Sequence, residues 1–170
     1  MNSKETDPPS INQRFSKVTP IWKFVLLSIC TFGVYHVFYF YKTWKTIKDR
    51  KELNISPLAR AIFGGLFIWS FTWHVKSFAE ENNIKINYSN IFNSTVYFLL
   101  IGSYKLPDPF WIICAFAFYP LLGAVSAMNS YYEKNEDGLE QKKFSILEKF
   151  LIFIGCLLFM ASALGSFVPQ

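Results

Sequence analysis

The chain has 170 residues, of which 52% are hydrophobic, 19% aromatic and 17% charged, with a formal net charge of +5. Disorder requires low hydrophobicity and high net charge, so this composition excludes it. Three cysteines, an odd number, exclude a disulfide-rich secreted domain, and apolar residues gathered into long runs argue against a soluble enzyme.

Residues 1–20 are polar, with Pro8, Pro9 and Ser10, and read as a flexible tail. Residues 21–168 read as a single helical membrane domain. A helix crossing the hydrocarbon core needs about 20 mostly apolar residues. Five segments approach that length: 24–41, 58–75, 88–104, 110–128 and 150–168. The first carries no formal charge between Lys23 and Lys42. The second has Arg60 near its entrance and Lys76 at its exit. The third is polar in its first half, with Asn90, Asn93, Ser94 and Thr95.

Lipid offers no hydrogen bonds, so each backbone N–H and C=O must pair within a helix or a closed barrel. Barrel strands alternate apolar and polar residues, and runs such as Phe150-Leu151-Ile152-Phe153-Ile154 do not. A soluble helical bundle would need a charged outer face, which the first, fourth and fifth segments lack. The expected fold is therefore all-α, a polytopic helical membrane protein with four to five hydrophobic segments.

The boundaries fit that reading. Trp and Tyr favour the headgroup region, and Trp22, Tyr41, Trp44, Trp73, Tyr104 and Tyr132 lie near segment ends. Lysines 23, 42, 76, 105 and 149 lie just outside the apolar runs, where their stems can snorkel. The first segment is too long for a signal-peptide core and no small-residue cleavage site follows it, so it reads as retained. Cys30, Cys114 and Cys156 all lie inside apolar runs, where a thiol acts as a small hydrophobe; three free thiols are expected.

Positive charge in short loops marks the cytoplasmic side. The stretch 42–60 holds Lys42, Lys45, Lys48, Arg50, Lys51 and Arg60. The N-terminal tail holds Lys4, Arg14, Lys17 and Lys23. Both favour the cytoplasm, yet a simple crossing by the first segment separates them. Either the tail is external, or the segment turns back at Thr31-Phe32-Gly33, since Gly tolerates left-handed angles and ends helices. From there simple alternation puts 77–90 outside, Lys105 inside, 129–149 outside and the C-terminus inside. Lys105-Leu106-Pro107-Asp108-Pro109 is a tight turn, because proline cannot continue a helix.

Lys42, Trp44, Lys45, Lys48, Arg50 and Lys51 form a basic, aromatic stretch expected to meet anionic lipid headgroups on the cytoplasmic side. The adjoining spans make a membrane surface a nearer source of negative charge than nucleic acid, and no nucleic-acid partner is expected. Small residues four apart let helices approach closely. Ala61, Gly64 and Gly65, Gly123 and Ala127, and Ala161 and Gly165 are expected packing contacts, within the chain or between chains of a homo- or hetero-oligomer. His36 with Asn93, Ser94 and Thr95 is the expected lining of a polar cavity, since an ionisable residue inside a span is a functional hypothesis. His74 is a second candidate. No phosphate loop, nucleophile elbow or zinc spacing occurs, so no enzyme, cofactor or metal is expected.

Thr31-Phe32-Gly33-Val34-Tyr35, Tyr39-Phe40-Tyr41 and Trp44-Lys45, with Arg60-Ala61-Ile62-Phe63 and Leu106-Pro107-Asp108-Pro109-Phe110-Trp111, resemble small bacterial multi-pass membrane proteins grouped as a domain of unknown function. The resemblance spans residues 22–130 and departs at Tyr39, where the group has Trp. It implies a bacterial, inner (cytoplasmic) membrane, multi-pass protein and no mechanism. The sequence as a whole favours a non-enzymatic membrane scaffold or interaction protein, with a small transporter or channel as the alternative.

Overall fold

The computed structural model describes residues 18–107, 110–135 and 144–165, and among these it is all-helical. The helices are α1 (Ile21–Cys30), α2 (Val34–Lys51), α3 (Pro57–Ile62), α4 (Ile68–Glu81), α5 (Asn90–Gly102), α6 (Leu122–Asn135) and α7 (Ile146–Gly165). A 3-10 turn, Ser103–Lys105, follows α5, and a 3-10 stretch, Phe110–Leu121, leads into α6.

The first apolar run does not form one helix. Gly33 takes φ 83° and Phe32 takes φ 48°, so two consecutive left-handed residues end α1 and start α2. The Gly33 N–H donates to the Ser28 carbonyl at 2.9 Å, a bond that satisfies a carbonyl at the helix end. Thr31 serves both helices. Its hydroxyl donates to the Leu27 carbonyl at 2.7 Å and accepts the Tyr35 N–H at 3.0 Å. The α1–α2 hairpin closes at its open end, where the Lys42 ammonium donates to the Thr19 hydroxyl at 3.1 Å.

The second run is also broken. Ser56 accepts the Ala59 N–H and Pro57 occupies the first turn, the usual start of a helix. After Ile62 the chain bends through residues 63–67 and returns as α4. Gly64 sits against the Phe40 ring, which occupies the space a Cβ would need. At the other end, the Lys51 ammonium meets the Glu81 carboxylate at 2.7 Å. The segment thus leaves from the Lys51 end of α2, reaches Phe40 and comes back to Lys51. This corrects the expected alternation: 42–60 and 77–90 lie at one end, because the run 58–75 is a bent pair of short helices rather than one straight span.

The third and fourth runs form a longer hairpin. The Asn93 amide donates to the Pro120 carbonyl at 2.9 Å, Tyr88 packs on Gly123, and the Lys134 ammonium reaches the Asn82 carbonyl at 2.9 Å. The hairpin therefore returns to the same end as Lys51 and Glu81, and Lys105 stands at its far turn. The described part of 129–149 shares the Lys51 end as well, against the expected alternation. Among the described residues, Ile112–Asn135 is the one stretch long and apolar enough to cross a membrane by length and composition.

The last helix starts with a capping box. Ser145 accepts the Glu148 N–H at 3.2 Å and Glu148 accepts the Ser145 N–H at 2.7 Å. The same Glu148 oxygen lies 2.8 Å from the Lys23 ammonium. Two turns further on, Gly155 lies directly on the Cys30 carbonyl, with no space for a Cβ. So α7 runs parallel to α1.

The core is aromatic. Phe40 and Phe71 rings lie 4.4 Å apart, and Trp44, Ile47, Ile68, Val75, Leu121 and Met128 are fully buried. The outside is also apolar: Leu66 is 71% exposed, Ile91 73% and Tyr119 66%. The charged groups gather where the hairpins open, with Arg60 and Lys105 as the described exceptions.

Candidate functional site

The bends of the two short hairpins meet. Phe32, Gly33 and His36 from one, and Ile62, Gly64 and Gly65 from the other, border a cavity of about 350 Å³ that Tyr97, Tyr104 and Cys114 close. Among the described residues, no charged side chain lines it. His36 is nearly fully buried, stacked on Phe24 at 5.7 Å. Its Nδ1 is 3.4 Å from the Tyr97 hydroxyl, and its Nε2 has no hydrogen-bond partner among the described residues. The strained Phe32-Gly33 corner forms part of the wall, a backbone cost that persists only where packing holds it.

Of the four residues expected to line a polar cavity, His36 borders this largely apolar one and Asn93, Ser94 and Thr95 do not. Ser94 is buried against Thr72, hydroxyl to hydroxyl at 2.6 Å, and Asn93 is used on Pro120. Thr95 faces outward. Hydrogen bonds to neighbouring elements have taken up Asn93 and Ser94 from the polar half of the third segment. His74 is held within its own helix, with Nδ1 2.7 Å from the Ser70 carbonyl oxygen.

The basic stretch divides in two. Lys45 and Arg50 are exposed, and Lys48 is half-buried. Lys51 is engaged by Ser77 and Glu81, whose carboxyl is held below the usual carboxylate range first by the Lys51 hydrogen bond and then by Ser77. Lys42 is half-buried on Thr19 and over the Tyr132 ring at 5.8 Å. Trp44 is not a surface residue. It is fully buried beneath Arg60, whose guanidinium stands 4.6 Å from the indole, and beside His74 at 5.0 Å. Its place on the core face of α2 corrects the expectation of headgroup contact.

The small residues also separate. Ala61 and Ala127 are buried, and Gly64 and Gly123 admit no Cβ without displacing Phe40 and Tyr88. Gly65 has nothing within 4 Å of a Cβ and borders the cavity instead. The four-residue spacing from Ala61 assumed a helix that ends at Ile62. Ala161 and Gly165 lie in α7 at side-chain positions outside the description.

Two polar clusters escaped the sequence reading. Lys23, expected to snorkel, is fully buried on Glu148, which is 3% exposed. The signal was Ser145-Ile146-Leu147-Glu148, a capping-box spacing. The backbone of Thr19 is held on both sides by the Asn129 amide, at 2.9 and 2.7 Å. Cys114 is a free thiol on the cavity wall; the side chain of Cys156 lies outside the description. No group of three His, Cys, Asp or Glu positioned to hold a metal occurs among the described residues.

Comparison with protein-family models, with curated proteins and with solved structures finds no match to this chain.

Proposed function

We propose that the chain is a multi-pass protein of the bacterial inner membrane that works as a scaffold, through contacts with lipid and protein rather than through catalysis. One observation carries this reading. Exposed aromatic and aliphatic side chains such as Trp22, Phe63, Leu66, Phe92, Leu99 and Phe153 surround a body whose described charges, Arg60 and Lys105 apart, collect at one end. Soluble monomers rarely expose apolar patches beyond a few hundred Å², and hydrocarbon removes that cost.

The hairpin geometry supports the same reading. With Thr19, Lys42, Lys51 and Lys134 at one end, Lys42, Lys45, Lys48, Arg50 and Lys51 together fit the positive-inside preference, while the tail up to residue 17 lies outside the described residues. Lys45, Lys48 and Arg50 then face the anionic cytoplasmic leaflet, each contributing roughly 1 kcal/mol. The motif from Thr31 to Lys45 points to the same group of membrane proteins.

The test is a carbonate wash followed by lipid analysis of a mild detergent extract. Retention in the pellet and enrichment of anionic lipid are expected. Lys45→Glu with Lys48→Glu reduces that enrichment at least about tenfold. Recovery of the full chain in the supernatant overturns the membrane reading. Unchanged lipid in the double variant overturns the headgroup contact.

A second reading, a small transporter, is favoured by the cavity at the hairpin bends, since ligands bind where membrane helices are broken. Solute flux in proteoliposomes, reduced by His36→Leu, would establish it.

A further inference from the structure

We infer that the protein holds one phospholipid in a fixed place, with its phosphate on Arg60 and one acyl chain in the cavity between the hairpin bends. The inference rests on the membrane reading and adds a single site to it.

The cation comes first. Arg60 is half-buried, and among the described residues no carboxylate pairs with it, whereas Lys23, Lys51 and Lys76 each have one. Its hydrogen bond there is a 3.4 Å one to the Ser70 hydroxyl. The guanidinium lies over Trp44 at 4.6 Å and over Phe67 at 5.7 Å. Ring faces attract and orient the planar group but leave its charge in place. A guanidinium carries five N–H donors in a fork that matches a phosphate with two parallel bonds. A cation set among apolar side chains is stabilised by an anion that reaches it.

Depth identifies the anion. Trp44 lies two residues past Lys42, which ends the apolar run 24–41, so Arg60 stands at the edge of the hydrocarbon, where the bilayer presents phosphate. The cavity lies on the deeper side. Phe40 and Ala61 border it. Phe40 precedes Trp44 by one turn of α2, about 6 Å toward the bend, and Ala61 follows Arg60 directly. Head and tail thus fall in the order of a phospholipid in the cytoplasmic leaflet, phosphate outward and chain inward. The glycerol bridges the turn between them; a free phosphate has no chain for the cavity, and a fatty acid has no such spacer.

The walls and the volume fit one chain. Among the described residues no charged side chain lines the cavity, so an acyl chain enters without stripping water from an ion. About 350 Å³ lies at the lower end of ligand pockets, about 300–1,000 Å³. The second chain has an apolar face beside it, since Ile62, Phe63 and Leu66 of the same bend are exposed.

The probe is phosphatidylglycerol with a photoactivatable diazirine midway along one acyl chain, present as a trace in phosphatidylglycerol nanodiscs that hold the full chain. After illumination, peptide mapping is expected to place the crosslinks on the cavity wall at Ile62, Ile101 and Cys114 rather than evenly over exposed residues such as Phe92 and Leu99. Arg60→Gln is expected to lower the wall crosslinks about tenfold. Arg60→Lys lowers them less, because it keeps the charge without the fork. Gly65→Leu, whose side chain enters open space, removes them. A diazirine alkane of the same length labels the wall equally in the parent and in Arg60→Gln, which reports an intact cavity. An even spread of crosslinks, or wall crosslinks unchanged in Arg60→Gln, overturns the inference. So does a diazirine fatty acid that labels the wall as strongly as the phospholipid, or loss of the phospholipid crosslinks in excess inorganic phosphate. The carbonate wash reads the membrane assignment and the Lys45→Glu, Lys48→Glu variant reads the surface contact, so failure of this site is distinguishable from failure of either.

Discussion

The Lys51 ammonium and the Glu81 carboxylate, thirty positions apart, lie 2.7 Å from each other. That ion pair means that everything between them departs from and returns to one end of the molecule. Single cysteines at Asn54 and Lys85 are therefore expected to react with an impermeant maleimide from the same side of a sealed vesicle, and one at Lys105 from the other. Labelling of Asn54 and Lys85 positions from opposite sides would contradict the bent α3–α4 pair.

The same pair sets a pH response. The folded-state pKa of Glu81 is lowered, chiefly by the Lys51 hydrogen bond. Its contribution is present at neutral pH and is lost as pH falls through the folded pKa. The effect is small, because the carboxylate is exposed and screened. Thermal unfolding in detergent should show a slightly shallower acid-side decline for Glu81→Gln than for the parent chain.

At the first corner, Thr31 and Gly33 do different work. Gly33→Ala places a Cβ in the left-handed region, a cost of about 1–2 kcal/mol. Thr31→Val removes a donor to Leu27 and an acceptor for Tyr35, and the buried Tyr35 N–H left behind makes it the worse of the two, at about 2–3 kcal/mol. Denaturant titration in detergent ranks them; equal stability of Thr31→Val and the parent would show that the hydroxyl holds nothing.

The Lys23–Glu148 pair is buried on both sides. Removing one partner leaves an uncompensated charge, at about 3–5 kcal/mol. Replacing both with apolar residues of similar size is expected to recover most of that loss. Lys23→Met, Glu148→Leu and the double variant, compared by thermal unfolding, test this through the sign of the coupling.

The glycines separate close packing from open space. Gly64→Ala and Gly155→Ala each force a Cβ against Phe40 or against the Cys30 carbonyl. Both should destabilise by about 1–3 kcal/mol, the range for overpacking. Gly65→Ala should change stability by less than about 0.5 kcal/mol. A Gly65→Ala loss as large as that at Gly64 would mean that the bend packs differently.

Backbone chemistry made part of this legible in the residues alone. Unbroken apolar runs such as 150–154 exclude strands, and Thr31-Phe32-Gly33 carries its own reason to stop a helix.

The rest depended on partners distant in sequence. Trp44 shares its stretch with five basic residues, and nothing local says that its face of α2 turns inward beneath Arg60 and Phe71. Ser94 and Asn93 have the chemistry of a cavity, but Thr72 and Pro120 take their hydrogen bonds first. Whether Gly64 or Gly65 is the close contact depends on where α3 ends, and only tertiary packing against Phe40 decides that. Local sequence determines where a helix can start, stop or carry charge. The meeting of His36, Gly65 and Cys114 around one space comes from the packing of separate hairpins, whose contact energies have no signature at short range.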